Sequence, residues 1–255
     1  MSASCLVTKL SHYIHLTDGE RHFLEDFELE TTRHERRATV ARSGDRLNDI
    51  YVLKTGWLTA HTSDAAGTEM IAEIYHPGDI VGTSQLGCEV STLTYTAATD
   101  IQLCPLPKNS FPVMFIDFPR LTALFFAFVA IERATLIDRL RAMGRMSARD
   151  CVALFLLQTH ARLRLTGSVD AATSRFSMPL SQELIGNAVG LSTVSVNRAI
   201  RLLESQGHLE RDGRVMQLPQ EAALAREIDF VDRVYRIDSS WFPVRDESRP
   251  APKAA

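Results

Sequence analysis

In the stretch GLSTVSVNRAIRLLESQG (190–207), Thr193, Val194, Asn197 and Arg198 fall on one side of a helical wheel, and Val196, Ala199, Ile200 and Leu203 on the other. The apolar set suits a core. The polar set suits the edge of a base pair. Arg198 can span O6 and N7 of guanine, Asn197 can pair with adenine or hold a phosphate, and the methyl groups of Thr193 and Val194 match that of thymine. Ser192, Ser195, Arg201 and Gln182 complete the candidate DNA-contacting set on these helices. Downstream, Arg211-Asp212-Gly213-Arg214 reads as an Asp-Gly hairpin with two arginines at its tip, a wing that would lie on phosphate. Solvated surface charge is an equal alternative for each arginine taken alone.

Elements must hold that face in place. Ser181 caps a short helix (182 to about 188), Gly190 makes a tight turn, and Ser192 caps the next helix. Gly186, Val189, Gly190, Leu191 and Val196 occupy the five positions a helix-turn-helix requires: small where two helices touch, glycine at the turn, apolar in the angle between them. Residues 181–218 carry four arginines and four acidic residues, so the module is locally neutral and DNA affinity must draw on dimerisation.

Upstream, Ser147 with Asp150 predicts a fresh helix from 148 to about 164, and the break at 144–147 a hinge. The segment from Pro119 to Met143 reads as one long helix. Along it Thr122, Phe126, Val129, Arg133, Leu136, Leu140 and Met143 step by 4 and 3, the seam of a parallel pair, while Leu121, Leu124, Phe125, Phe128 and Ile131 form a second apolar line. A helix buried on two sides within one monomer is the alternative. From about 36 to 107, Val-, Ile-, Thr- and Tyr-rich runs alternate with turns at Gly44, Gly56, Gly67 and Gly78, eleven or twelve residues apart, which predicts an antiparallel β-roll. Thr17 and Glu20 form a capping box for a helix over 17–29.

The fold class is therefore α+β: an N-terminal antiparallel β-roll of jelly-roll type, a long dimerisation helix and a C-terminal winged helix-turn-helix. The domains are set at 1–118, 119–146, 147–226 and a 227–255 extension ending in RPAPKAA, which reads as disordered. A formal net charge of −3 over 255 residues excludes a global basic field. The run LTALFFAFVAI is too short to span a bilayer and leads into Glu132 and Arg133; the start has no signal-peptide core, so a cytoplasmic protein is expected. Cys5, Cys88, Cys104 and Cys151 contain no C-x-x-C pair, so reduced thiols and no metal are expected. No G-x-S-x-G, phosphate loop or H-E-x-x-H motif points to an enzyme.

This order of parts, and LSQELIGNAVGLSTVSVNRAIRLLESQG above all, resembles the Crp–Fnr family of bacterial transcription regulators over roughly residues 17–218. The resemblance implies double-stranded DNA, a second copy of the chain and RNA polymerase as partners, with Arg198 as the base-contacting arginine and Thr193, Val194 and Asn197 at the other reading positions. An Arg or Glu stands at the first two of these in the best-known branches, so a different operator is expected. HPGDIVG (76–82) matches the family's roll motif. The effector pocket would then involve Gly82, Thr83, Ser91 and Thr92. Thr83 replaces the ribose-gripping Glu, however, and Ser91-Thr92 replaces the phosphate-binding Arg-Ser, so cyclic AMP is not expected. An iron–sulfur cluster needs an N-terminal cysteine cluster where only Cys5 stands. Haem ligands would have to come from scattered His12, His15, His76 and Cys88. A ligand-binding module whose winged helix docks protein is the competing function.

Overall fold

The computed structural model describes residues 4–64 and 67–243; the RPAPKAA end lies outside the described residues. Two short helices, α1 (Cys5–Ser11) and α2 (Asp18–Asp26), precede eight strands: β1 (Thr32–His34), β2 (Thr39–Ala41), β3 (Asp49–Thr55), β4 (Leu58–Ser63), β5 (Glu69–Tyr75), β6 (Ile80–Val81), β7 (Thr94–Ala97) and β8 (Ile101–Pro107). The Thr17–Glu20 capping box forms as predicted. The strands pair antiparallel into two four-stranded sheets, β1-β8-β3-β6 and β2-β7-β4-β5. Leu53 and Leu103 from one sheet meet Leu58, Tyr75 and Tyr95 from the other in a shared buried core. This is the roll.

All four predicted turn glycines adopt positive φ. The turn His76-Pro77-Gly78-Asp79 is closed by Asp79 N–H donating to His76 O, with proline fixing the second residue and Gly78 at φ 84° the third.

After α3 (Phe111–Asp117) comes α4 (Pro119–Arg145), with proline at its first position. Leu121, Ala123, Leu124 and Ala127 are buried. The predicted seam lies on another face: Phe126, Leu136 and Leu140 are exposed large apolar side chains, joined by Ile137. One correction applies at the end of this helix. It runs through Gly144, where an added Cβ would point into open space, and the break comes at Met146–Ser147. A glycine in a solvent-facing last turn costs only about 1 kcal/mol, and the capping serine sets the restart. Met143 of the seam is exposed like Phe126, Leu136 and Leu140, and its Cε also reaches the turn after α6, 2.7 Å from where a Cβ on Gly190 would stand.

The C-terminal domain contains α5 (Ala148–Arg164), β9 (Arg175–Ser177), α6 (Gln182–Val189), α7 (Thr193–Ser205), β10 (Glu210–Asp212), β11 (Val215–Gln217) and α8 (Glu221–Glu227). The wing is a three-stranded sheet in the order β10-β11-β9. This domain is not suspended from the hinge. Trp57, Ile71 and Ile74 of the roll share one buried cluster with Leu157, Ala188 and Val189. Beyond α8 the chain returns to the N-terminal half: Tyr13 donates to Val234 O, and the Arg233 guanidinium grips Asp138 on α4.

Candidate nucleic-acid interface and sensor cavity

The helix-turn-helix is assembled from its caps. Ser181 accepts from Leu184 N–H and Ser192 from Ser195 N–H, each at 3.2 Å, fixing where α6 and α7 begin. Gly190 ends α6 at φ 71°. A Cβ on Gly186 would stand 2.4 Å from Leu191 O, so only glycine lets the turn close over α6. Val196, Ala199, Ile200 and Leu203 are buried, which turns the opposite face of α7 outward.

On that face Thr193, Val194, Arg198 and Arg201 are exposed, with Val194 at 62%. Neither arginine has a carboxylate partner among the described residues. The other candidates are more constrained. Asn197 donates to Gln182 Oε1 at 3.0 Å, so these two residues tie α7 to α6. Ser192 and Ser195 hydroxyls lie 3.0 Å apart. The wing needs a correction. Asp212 pairs with Val215, so the two-residue loop is Gly213-Arg214, not Asp-Gly. Arg211 sits on β10 and pairs with Glu204 of α7 at 3.2 Å; Arg214, at the tip, has no carboxylate partner among the described residues.

Between the roll, α1, α4 and α5 lies a cavity of about 290 Å³. Its walls include Leu10, Ile80, Phe125, Phe128 and Ile131, with Thr83 and Ser84 from the roll and Glu132 and Arg139 from α4. Of the four predicted pocket residues only Thr83 lines it; its hydroxyl donates to Glu132 Oε2 at 2.8 Å. Gly82 instead makes a left-handed turn under Ile50. Ser91 and Thr92 are consumed locally, Ser91 donating to Leu93 O at 2.6 Å and Thr92 N–H to Gln85 Oε1 at 2.8 Å. Glu132 and Arg139 were missed, although a signal existed. Leu121, Phe125, Phe128, Glu132, Thr135 and Arg139 step by 4 and 3, so the inward line simply turns polar.

Two stretches of the chain match known domain families: residues 31–116 the cyclic nucleotide-binding domain, and residues 152–227 the Crp-like helix-turn-helix domain. The chain belongs to the Crp–Fnr family. Among its curated relatives are the transcriptional activator protein FnrA of Stutzerimonas stutzeri, 23% identical over 71% of this chain and 72% of that one. The transcriptional regulatory protein btr of Bordetella pertussis is 24% identical over 85% of this chain and 90% of its own length. Among solved structures, FixK2 from Bradyrhizobium japonicum shares the fold with a TM-score of 0.68 at 22% identity, over 77% of this chain and 96% of that one.

Within this Crp–Fnr architecture, polar contacts join the parts. Asp79 of the HPGD turn is buried and receives Lys9 from α1, Arg162 from α5 at 2.6 Å, and His76 N–H at 2.8 Å. Arg139 donates to Ala72 O at 2.6 Å and Ile71 O at 3.0 Å on β5, and to Ala188 O at 2.9 Å on α6. Roll, long helix and helix-turn-helix thus share one guanidinium. Burial pushes the Cys5 thiol up to about 12 and the Cys104 thiol up to about 11, so neither is a ready thiolate. Among the described residues no cluster of three or more His, Cys, Asp or Glu is placed to hold a metal ion, and no helix is long and apolar enough to cross a membrane.

Burial also pushes the Glu132 carboxyl up to about 7. Its folded-state pKa then exceeds the unfolded value of about 4.3. Its stabilising effect is full below that value and is lost as pH rises through about 7. Glu132→Gln is expected to melt like the wild type near pH 4 and to be more stable at pH 8, by on the order of 2 kcal/mol. Thermal melts at the two pH values check this.

Proposed function

We propose that the chain is a homodimeric, sequence-specific DNA-binding transcription regulator that reads a pseudo-palindromic operator through α7. The carrying observation is the outward face of α7, where Thr193, Val194, Arg198 and Arg201 stand exposed over a fully packed inner face. The local charge balance supports the reading. Glu204 pairs with Arg211 and Asp212 with Arg175, which leaves Arg198, Arg201 and Arg214 for nucleic acid.

Dimerisation is argued from α4, whose apolar line of Phe126, Leu136, Ile137 and Leu140 stays exposed even though Trp241 touches Phe126. A cytoplasmic location and contact with RNA polymerase follow from the kind of regulator proposed. The roll is proposed not to hold a cyclic nucleotide, because Thr83 faces the half-buried Glu132 carboxylate and Ser91 and Thr92 are already engaged.

Arg198→Ala is expected to lose about 1–3 kcal/mol of operator affinity and to relax preference at one base pair per half-site. Equilibrium titration of variant duplexes measures both; full affinity with unchanged preference would sink the groove assignment. The near balance of charge in residues 181–218 favours a second reading, in which the winged helix docks a protein. That reading predicts DNA binding that is non-specific and gone by physiological salt.

A further inference from the structure

The cavity between the roll and α4 has an unusual charge economy. Every cation on its inner wall is already satisfied: Lys9 and Arg162 by Asp79, and Arg139 by three carbonyls. Glu73 accepts from Tyr75. Glu132 is different. It receives only the Thr83 hydroxyl, on Oε2, and has no cation within ion-pair distance among the described residues. A carboxyl partly withdrawn from water without a counter-charge is costly unless something supplies one. Around it the wall is apolar, with Leu10, Ile80, Phe125, Phe128 and Ile131.

We infer that this cavity receives a small amine with a compact apolar body, the ammonium held by Glu132 and Thr83 and the body packed between Phe125, Phe128 and Ile80. A volume of about 290 Å³ is roughly twice the ~150 Å³ that accommodates benzene, enough for a ring with a short arm. An anionic ligand would face Glu132 with no free cation beside it on the inner wall. Arg133 lines the cavity but is exposed, where water screens its charge. Val129, Arg133 and Leu136 belong both to the cavity lining and to the proposed dimer seam, so a partner helix packed there would roof the cavity. Occupancy would then bear on the pairing of α4. This consequence rests on the proposed dimer, whereas amine binding does not.

The test is calorimetry on the full-length protein without DNA, using three probes of matched shape (2-phenylethylamine, 2-phenylethanol and 3-phenylpropionate) together with cyclic AMP. The amine is expected to bind at least tenfold more tightly than the carboxylate and than cyclic AMP. Glu132→Gln, which keeps an acceptor for Thr83, is expected to erase that tenfold preference without lowering the melting temperature. Binding of none of the four, a preference for the carboxylate or cyclic AMP, or an amine affinity that survives Glu132→Gln would each overturn the inference. Because no DNA is present, these results are independent of whether α7 reads an operator.

Discussion

Replacing Leu140 by Asp is expected to leave a folded monomer that has lost about 10²–10³-fold in affinity for a two-half-site duplex. Leu140 is 60% exposed, so the core of a single chain does not depend on it. It stands in line with Phe126 and Leu136, the spacing that keeps one helix face toward a parallel partner. In such a pair equivalent residues meet at the same level, so two Asp carboxylates would oppose each other where leucines should pack. Without the partner, the second half-site no longer raises the local concentration of a second recognition helix. Sedimentation equilibrium, with titrations on whole-site and half-site duplexes, reads both effects. A variant that stays dimeric would show that α4 pairs through another face or not at all.

Asp79→Asn is expected to cost about 3 kcal/mol, the lower end for loss of one partner from a buried ion pair, because Lys9 and Arg162 keep some access to water. The amide retains the bond from His76 N–H but offers no charge to two cations arriving from α1 and α5. Burial alone would raise the Asp79 pKa; Arg162 and Lys9 overcome it and hold the carboxyl well below the usual range. Its contribution is therefore complete above about pH 3.9 and fades as the pH falls from there through the depressed value. Urea unfolding at neutral pH should show the loss. Acid titration should show a shallower fall for Asp79→Asn than for the wild type. Equal stability at neutral pH would mean that this ion-paired turn does not hold roll and α5 together.

What was legible in the sequence was what local chemistry encodes. Caps and turns named α5, α6 and α7 almost to the residue, because Ser147, Ser181, Ser192 and Gly190 act within three or four positions of themselves. The turn glycines likewise marked the strand ends. Long-range contacts were not legible. Tyr13 meets Val234, and Trp241 packs edge-on against Phe126, across spans that no periodicity reports. The strand β9 is three residues long, too short to show an alternation, and only its pairing with β11 defines it.

Within the site, the outward face of α7 followed from its helical wheel, but the ties that hold it did not. Nothing about Asn197 or Gln182 alone says that they bond to each other. Ser91 and Thr92 were placed in the pocket by resemblance, and their own hydrogen bonds take them out of it. Glu132 looked like the charge that ends an apolar run, yet helical geometry turns it inward four residues after Phe128.

The most direct measurement is selection of random duplexes by the purified protein near physiological salt. A chain that reads DNA as a parallel dimer through α7 should enrich a two-fold-symmetric site with half-site centres about 34 Å apart, one helical turn. A pool that emerges unenriched, with binding that weakens uniformly across sequences as salt rises, would contradict that function.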